Sequence, residues 1–192
     1  MLHELRRRRP NAKVGWVRVA KTGSCSTVRL LERLKAMPGL GNKIGPARIG
    51  HTRVGGLREI TFMVIRDPVS RTASSLHYKN RSDESRSTLK SPKAIRLLRT
   101  GAPLDDVLAA LPRSSIRNIL RRQNWHFKQR VNVCLQLKEV PEALQILLGL
   151  PERPELPVAN VSRKRNPGLT AASEARLRRI LHEDFALWER WT

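Results

Sequence analysis

The sequence predicts an α/β fold, a single domain with a small central parallel sheet flanked by helices, and two observations carry that reading. The strand-like run VGWVRVA (residues 14–20) passes through the polar turn KTGSCST into an amphipathic VRLLERL. The continuous apolar, β-branched run ITFMVI (residues 60–65) passes through Arg66-Asp67-Pro68 into a second helical pattern. Repeated strand-turn-helix units imply parallel strands covered by helices. Both turns are then expected to open on the same edge of the sheet.

The remaining elements follow in order. The first helix is expected to run to about Met37, where Pro38-Gly39 stops it. Residues 40–50 are glycine-rich and read as loop, with IGHTRVGG holding a short second strand that ends near His51. Asp67 before Pro68 has the form of an N-cap followed by proline at the first helical position, which starts a helix over 69 to about 78. Residues 80–93 are polar and read as a flexible loop. Helical patterns follow at 94–99, 104–111 and 113–122, and VNVCLQL (131–137) reads as one more strand. Pro141–Leu148 is expected as a helix closed by Gly149, and PERPELP as a proline-stiffened connection. The last helix is expected from Leu169 to about Trp191, capped by Thr170, with Leu177, Ile180, Leu181, Phe185 and Trp188 on one stripe.

At 192 residues the chain buries enough surface, about 70% by size scaling, to need no metal or disulfide scaffold. Its 38 Lys plus Arg against 16 Asp plus Glu leave a net charge of +22, which points to a polyanionic partner: nucleic acid, an acidic polysaccharide or a phosphorylated cofactor. Arg outnumbers Lys 28 to 10, so part of the excess reflects compositional bias rather than a binding patch. Cys25 and Cys134 form no metal-type or disulfide-type spacing, and no metal is implied. The two thiols suit a reducing compartment, and the expectation is cytoplasmic, with a Golgi-lumenal chain lacking its anchor as the alternative. No stretch approaches 18 uninterrupted apolar residues, and MLHELRRRRP, the start of a basic segment over 1–12, lacks the apolar core of a signal peptide, so no membrane span is expected.

The turn KTGSCST differs from a nucleotide-triphosphate P-loop, whose glycines precede the Lys-Ser/Thr pair, because here Ala20 precedes Lys21 and Gly23 follows it. With its strand and helix it resembles the phosphosulfate-binding turn of the sulfotransferase superfamily that uses 3′-phosphoadenosine 5′-phosphosulfate (PAPS). FMVIRDPVSRTASSLHY resembles that family's 3′-phosphate element, a strand followed by R-D-P-x-x-R-x-x-S. NVSRKR, then LT and a helix containing EDFALW, resembles the C-terminal part of its carbohydrate-modifying branch. The resemblance is close over residues 13–80 and loose over 130–190. It departs from the pattern in Ala20, where proline is usual, and in Ser24 and Cys25.

The resemblance implies a P-loop-like sulfotransferase fold and a reaction that moves a sulfuryl group from PAPS to a hydroxyl, most naturally that of a carbohydrate. Thr22, Gly23, Ser24, Cys25 and Ser26 would supply donors to the 5′-phosphosulfate, and Lys21 would stabilise charge on the departing oxygen. Arg66 would grip the 3′-phosphate bidentately, with Ser74 adding one bond. His51, in GHTRV, is the candidate general base for the acceptor hydroxyl. Ser162 and Arg163 are candidate contacts to the donor. His126 with Gln123 and Trp125 either lines the acceptor cleft or packs. Arg71 is either a structural ion-pair partner or a phosphate neighbour, and His77 and Tyr78 finish a helix face. The rival class is a basic nucleic-acid-binding protein, for which the charge and R-R-R-R speak but the 4% aromatic content does not. A catalytically inactive nucleotide- or glycan-binding relative is a third reading.

Overall fold

The structure, a computed structural model, describes residues 1–19, 21–48, 59–82, 87–120, 123, 131–157 and 169–192. The chain divides into two compact units: Met1–Ile65 with Trp125–Val161 and Trp191, and Arg66–Asn124 with Ser162–Arg190 and Thr192.

The first unit holds helix α1 (Leu2–Arg8), strand β1 (Lys13–Val17), helix α2 (Ser24–Lys35), strands β2 (Ile44–Arg48), β3 (Glu59–Ile65) and β4 (Val133–Gln136), a 3-10 turn over Leu137–Glu139, and helix α7 (Val140–Leu148). The four strands form one parallel sheet in the order β2-β1-β3-β4. The coarse fold class is therefore as expected: α/β, with a small parallel sheet and helices on it. β1 and β3 run in register from Lys13↔Glu59 to Val17↔Met63, and β3 meets β4 from Phe62↔Val133 to Ile65↔Gln136.

One sheet face supplies Val14, Trp16, Ile60, Phe62, Val64, Val133 and Leu135 to a core closed by Leu30, Leu31 and Leu34 of α2 and by Ala143, Leu144, Leu147 and Leu148 of α7. Each such side chain contributes about 1.5–3 kcal/mol on burial, which is why these two helices hold to the sheet. Leu2 and Leu5 dock α1 on the same core, giving the basic N-terminal segment a helical start that its composition did not announce. Gly149, at φ +68°, closes α7 as expected.

Three expectations for this unit are corrected. β1 stops at Val17 rather than residue 20, because its ladder to β3 ends there, although Val19 is still fully buried. β2 occupies Ile44–Arg48, inside the stretch read as loop. It tolerates Pro46 because it is an edge strand, and its register to β1 shifts between Val14 and Trp16. The anticipated end of that strand near His51 lies outside the described residues.

The second unit is helical among its described residues: α3 (Pro68–Lys79), α4 (Pro92–Arg99), α5 (Leu104–Ala110), α6 (Arg113–Leu120), α8 (Ala171–Ile180) and α9 (His182–Trp191). Ala73, Leu76, Ala94, Leu98, Val107, Leu108, Ile116, Leu177, Ile180 and Phe185 make its core. The capping signals read from sequence act as expected. Asp67 accepts from the Ser70 N–H at 2.7 Å with Pro68 behind it, and Thr170 accepts from the Ser173 N–H at 3.4 Å. Ser91 caps α4 in the same way.

Two readings change here. The single C-terminal helix is two, broken at Leu181, whose φ of −114° and ψ of 28° are not helical. Part of the polar stretch 80–93 is anchored, since Leu89 is completely buried and Pro92 already belongs to α4. No helix among the described residues is long and apolar enough to cross a membrane.

Candidate functional site

In the first unit the chain leaves β1 through a turn that is tightly specified. Lys21 adopts φ +65°, a left-handed conformation that costs a non-glycine residue about 1–3 kcal/mol. The Thr22 hydroxyl donates to the Val19 carbonyl at 2.9 Å, so this buried side chain holds the turn shut and its hydroxyl is not available to a ligand. Gly23 is the N-cap of α2 at φ +87°. A Cβ there would come within 2.6 Å of Leu137 Cδ1, so the backbone angle demands glycine and any side chain would also have to displace Leu137.

The first helical bond of α2 runs from the Thr27 N–H to the Gly23 carbonyl at 3.1 Å. The N–H groups of Ser24, Cys25 and Ser26 therefore lie ahead of the helical ladder, and the N-cap, a glycine, has no side chain to cap them. The first turn also carries no acidic residue. α3 makes the contrast, because Asp67 occupies its N-terminus with a carboxylate. The positive end of the α2 dipole and these leading N–H groups lie at the turn, with Lys21 two residues before the cap. Ser24 and Ser26 are buried and Cys25 is partly exposed.

In the second unit Arg66 is the first residue beyond β3 and is half-buried. Burial lowers its guanidinium below the ordinary arginine value, against the opposing pull of Asp67. Its main chain is held by Gln123, which is fully buried: the Arg66 N–H donates to Gln123 Oε1 at 2.9 Å, and Gln123 Nε2 donates to the Arg66 carbonyl at 2.9 Å. Of the alternatives for Gln123, the packing role is the one observed.

Arg71, 1% exposed, pairs with the fully buried Asp184 at 3.5 Å. Burial pushes its guanidinium down to about 10, partly countered by Asp184 and reinforced by the nearby Arg66 charge. Arg71 is thus the structural ion-pair partner rather than a surface phosphate contact. The pair also links the R-D-P-V-S-R segment to the E-D-F-A-L-W helix. Ser74 sits half-buried on α3, and Tyr78 is exposed under Arg81, whose guanidinium carbon lies 5.4 Å from its ring. Nε2 of His77 is buried and finds no hydrogen-bond partner among the described residues.

His51, Trp125, His126, Ser162 and Arg163 lie outside the described residues. Sequence reasoning missed Leu137 as the side chain packed against Gly23, the Gln123 clamp, and Asp184 as the Arg71 counter-ion. None of them has a local signature, since the clamp spans 57 residues and the ion pair 113. Among the described residues no cluster of His, Cys, Asp or Glu could hold a metal. No protein-family model, curated protein or solved structure matches the chain.

Proposed function

We propose that this chain is a sulfotransferase of P-loop-like fold that transfers a sulfuryl group from PAPS to a hydroxyl of a carbohydrate. The observation that carries the proposal is the pairing of β1 with β3. They are adjacent, parallel and in register to Val17↔Met63, so the chain leaves both strands at the same end of the sheet, which supports the reading from the sequence resemblance.

The residues suit a donor anionic at both ends. The uncapped α2 terminus, free of acidic residues and preceded by Lys21, suits the 5′-phosphosulfate. A half-buried guanidinium at Arg66 suits the 3′-phosphate, which it can meet with two parallel hydrogen bonds. When bound, PAPS supplies an electrophilic sulfuryl group and a phosphate leaving group.

The chain supplies position and charge. Backbone N–H groups of Ser24, Cys25 and Ser26 orient the phosphosulfate, with Thr22 and Gly23 fixing the turn that presents them. Lys21 neutralises the charge left on the bridging oxygen, and Arg66 and Ser74 hold the far end of the donor. His51 takes the proton of the acceptor hydroxyl, while Ser162 and Arg163 contact the donor. These three roles rest on the sequence resemblance. The basic surface raises the local concentration of an acceptor that is already anionic.

Two measurements test this reading. The protein should be retained on immobilised adenosine 3′,5′-bisphosphate, with retention lost in Arg66→Ala. It should also move radiolabelled sulfate from PAPS to members of a glycan panel. Lys21→Ala should cut the transfer rate by about 10²-fold or more, the size of a lost charge-stabilising donor. Salt-sensitive nucleic-acid binding without nucleotide retention would overturn the proposal in favour of the rival class.

A further inference from the structure

Arg66 stands where β3 leaves the sheet. Its predecessor Ile65 is the last residue in register with β4, opposite Gln136. At such a point a main-chain N–H and C=O lose their ladder partners and need others if they are buried. The side-chain amide of Gln123 replaces a neighbouring strand: one oxygen accepts from the Arg66 N–H and one nitrogen donates to the Arg66 carbonyl, both at 2.9 Å. Gln is the longer of the two amide side chains, each of which offers a donor and an acceptor in one planar group, and this one is completely buried. The next residue, Asp67, is fixed as the α3 cap, so the peptide from which the Arg66 side chain springs is held on both sides.

We infer that Gln123 is a positioning residue that aims Arg66 at the donor's 3′-phosphate. This rests on the donor reading proposed above. A pre-set backbone removes rotational freedom that binding would otherwise have to freeze, so the clamp should affect the ligand that Arg66 touches and spare one that it does not.

The test compares binding of adenosine 3′,5′-bisphosphate with that of adenosine 5′-monophosphate, by calorimetry on the full chain. Wild type should prefer the bisphosphate, Arg66→Ala should abolish the preference, and Gln123→Met, of similar length but without polar atoms, should reduce it about tenfold with monophosphate binding unchanged. Gln123→Glu, which keeps the acceptor and loses the donor, should fall between. Preference intact in both Gln123 variants but lost in Arg66→Ala overturns the inference alone. Absence of any preference in wild type overturns the donor reading and the inference with it. Should neither variant fold, amide hydrogen exchange in wild type decides: slow exchange at Arg66, slowed further by the bisphosphate but not the monophosphate, supports the clamp, and exchange at the rate of an open loop overturns it.

Discussion

Replacing Gly23 by alanine tests the turn at its most constrained point. Two separate penalties are expected. Holding an L-residue at φ +87° costs about 1–2 kcal/mol, the steric price of the left-handed region. The new methyl would also meet Leu137 Cδ1 at 2.6 Å and Cγ at 2.9 Å, and overpacking of this kind costs typically about 1–3 kcal/mol. Gly23→Ala should therefore lose about 2–5 kcal/mol, read as a downward shift of the urea midpoint by circular dichroism with little change in slope. Leu137→Ala removes the obstacle. In a double-mutant cycle the collision part, about 1–3 kcal/mol, should return as coupling while the backbone part remains. A Gly23→Ala loss below about 0.5 kcal/mol would refute both components, since surface-like substitutions fall in that range. A large loss with no coupling would refute the collision and leave only the angle.

Three further outcomes are expected. Asp184→Ala strands the buried Arg71 charge and should destabilise by about 3–5 kcal/mol, whereas Arg71→Met combined with Asp184→Leu should recover most of that loss in the same urea titration. Burial pushes the Cys134 thiol from 9.0 up to about 12, so the unfolded chain ionises first. Stability from this group is complete below pH 9 and drains away as pH rises towards 12, with a limiting slope of about 1.4 kcal/mol per pH unit. Arg71, lowered to about 10, acts in the opposite sense as the pH approaches and passes that value, so the difference between wild type and Cys134→Ala, in which the Arg71 part cancels, isolates the thiol. Cys134→Ala should flatten the decline, and an unchanged slope would contradict the assignment. Asp67→Ala removes the α3 cap and should cost about 1 kcal/mol, while Asp67→Asn should be near neutral, both measured by thermal or urea unfolding.

Features set within a few residues of chain were legible from the sequence alone. The ITFMVI run is a central strand because an unbroken apolar, β-branched stretch must be covered on both faces, and β3 spans Glu59–Ile65. Asp67-Pro68 and Thr170 start helices because capping needs only a side-chain oxygen and the N–H three residues on. The glycine of KTGSCST announced a turn, and Gly23 does adopt a positive φ.

Tertiary structure decided what depends on partners distant in the chain. Ladder pairing ended β1 at Val17 although Val19 is buried again, and an edge position made a strand of a segment containing proline. Leu2 and Leu5 stabilise a seven-residue helix only because a core is there to receive them, as an isolated helix of that length is marginal in water. Nothing local marks the break at Leu181, where neither glycine nor proline stands. The clamp of Gln123 on Arg66 and the pairing of Arg71 with Asp184 join residues with no shared periodicity. Hydrogen bonds and ion pairs act over about 3 Å in space, and only the folded path of the chain brings such groups that close.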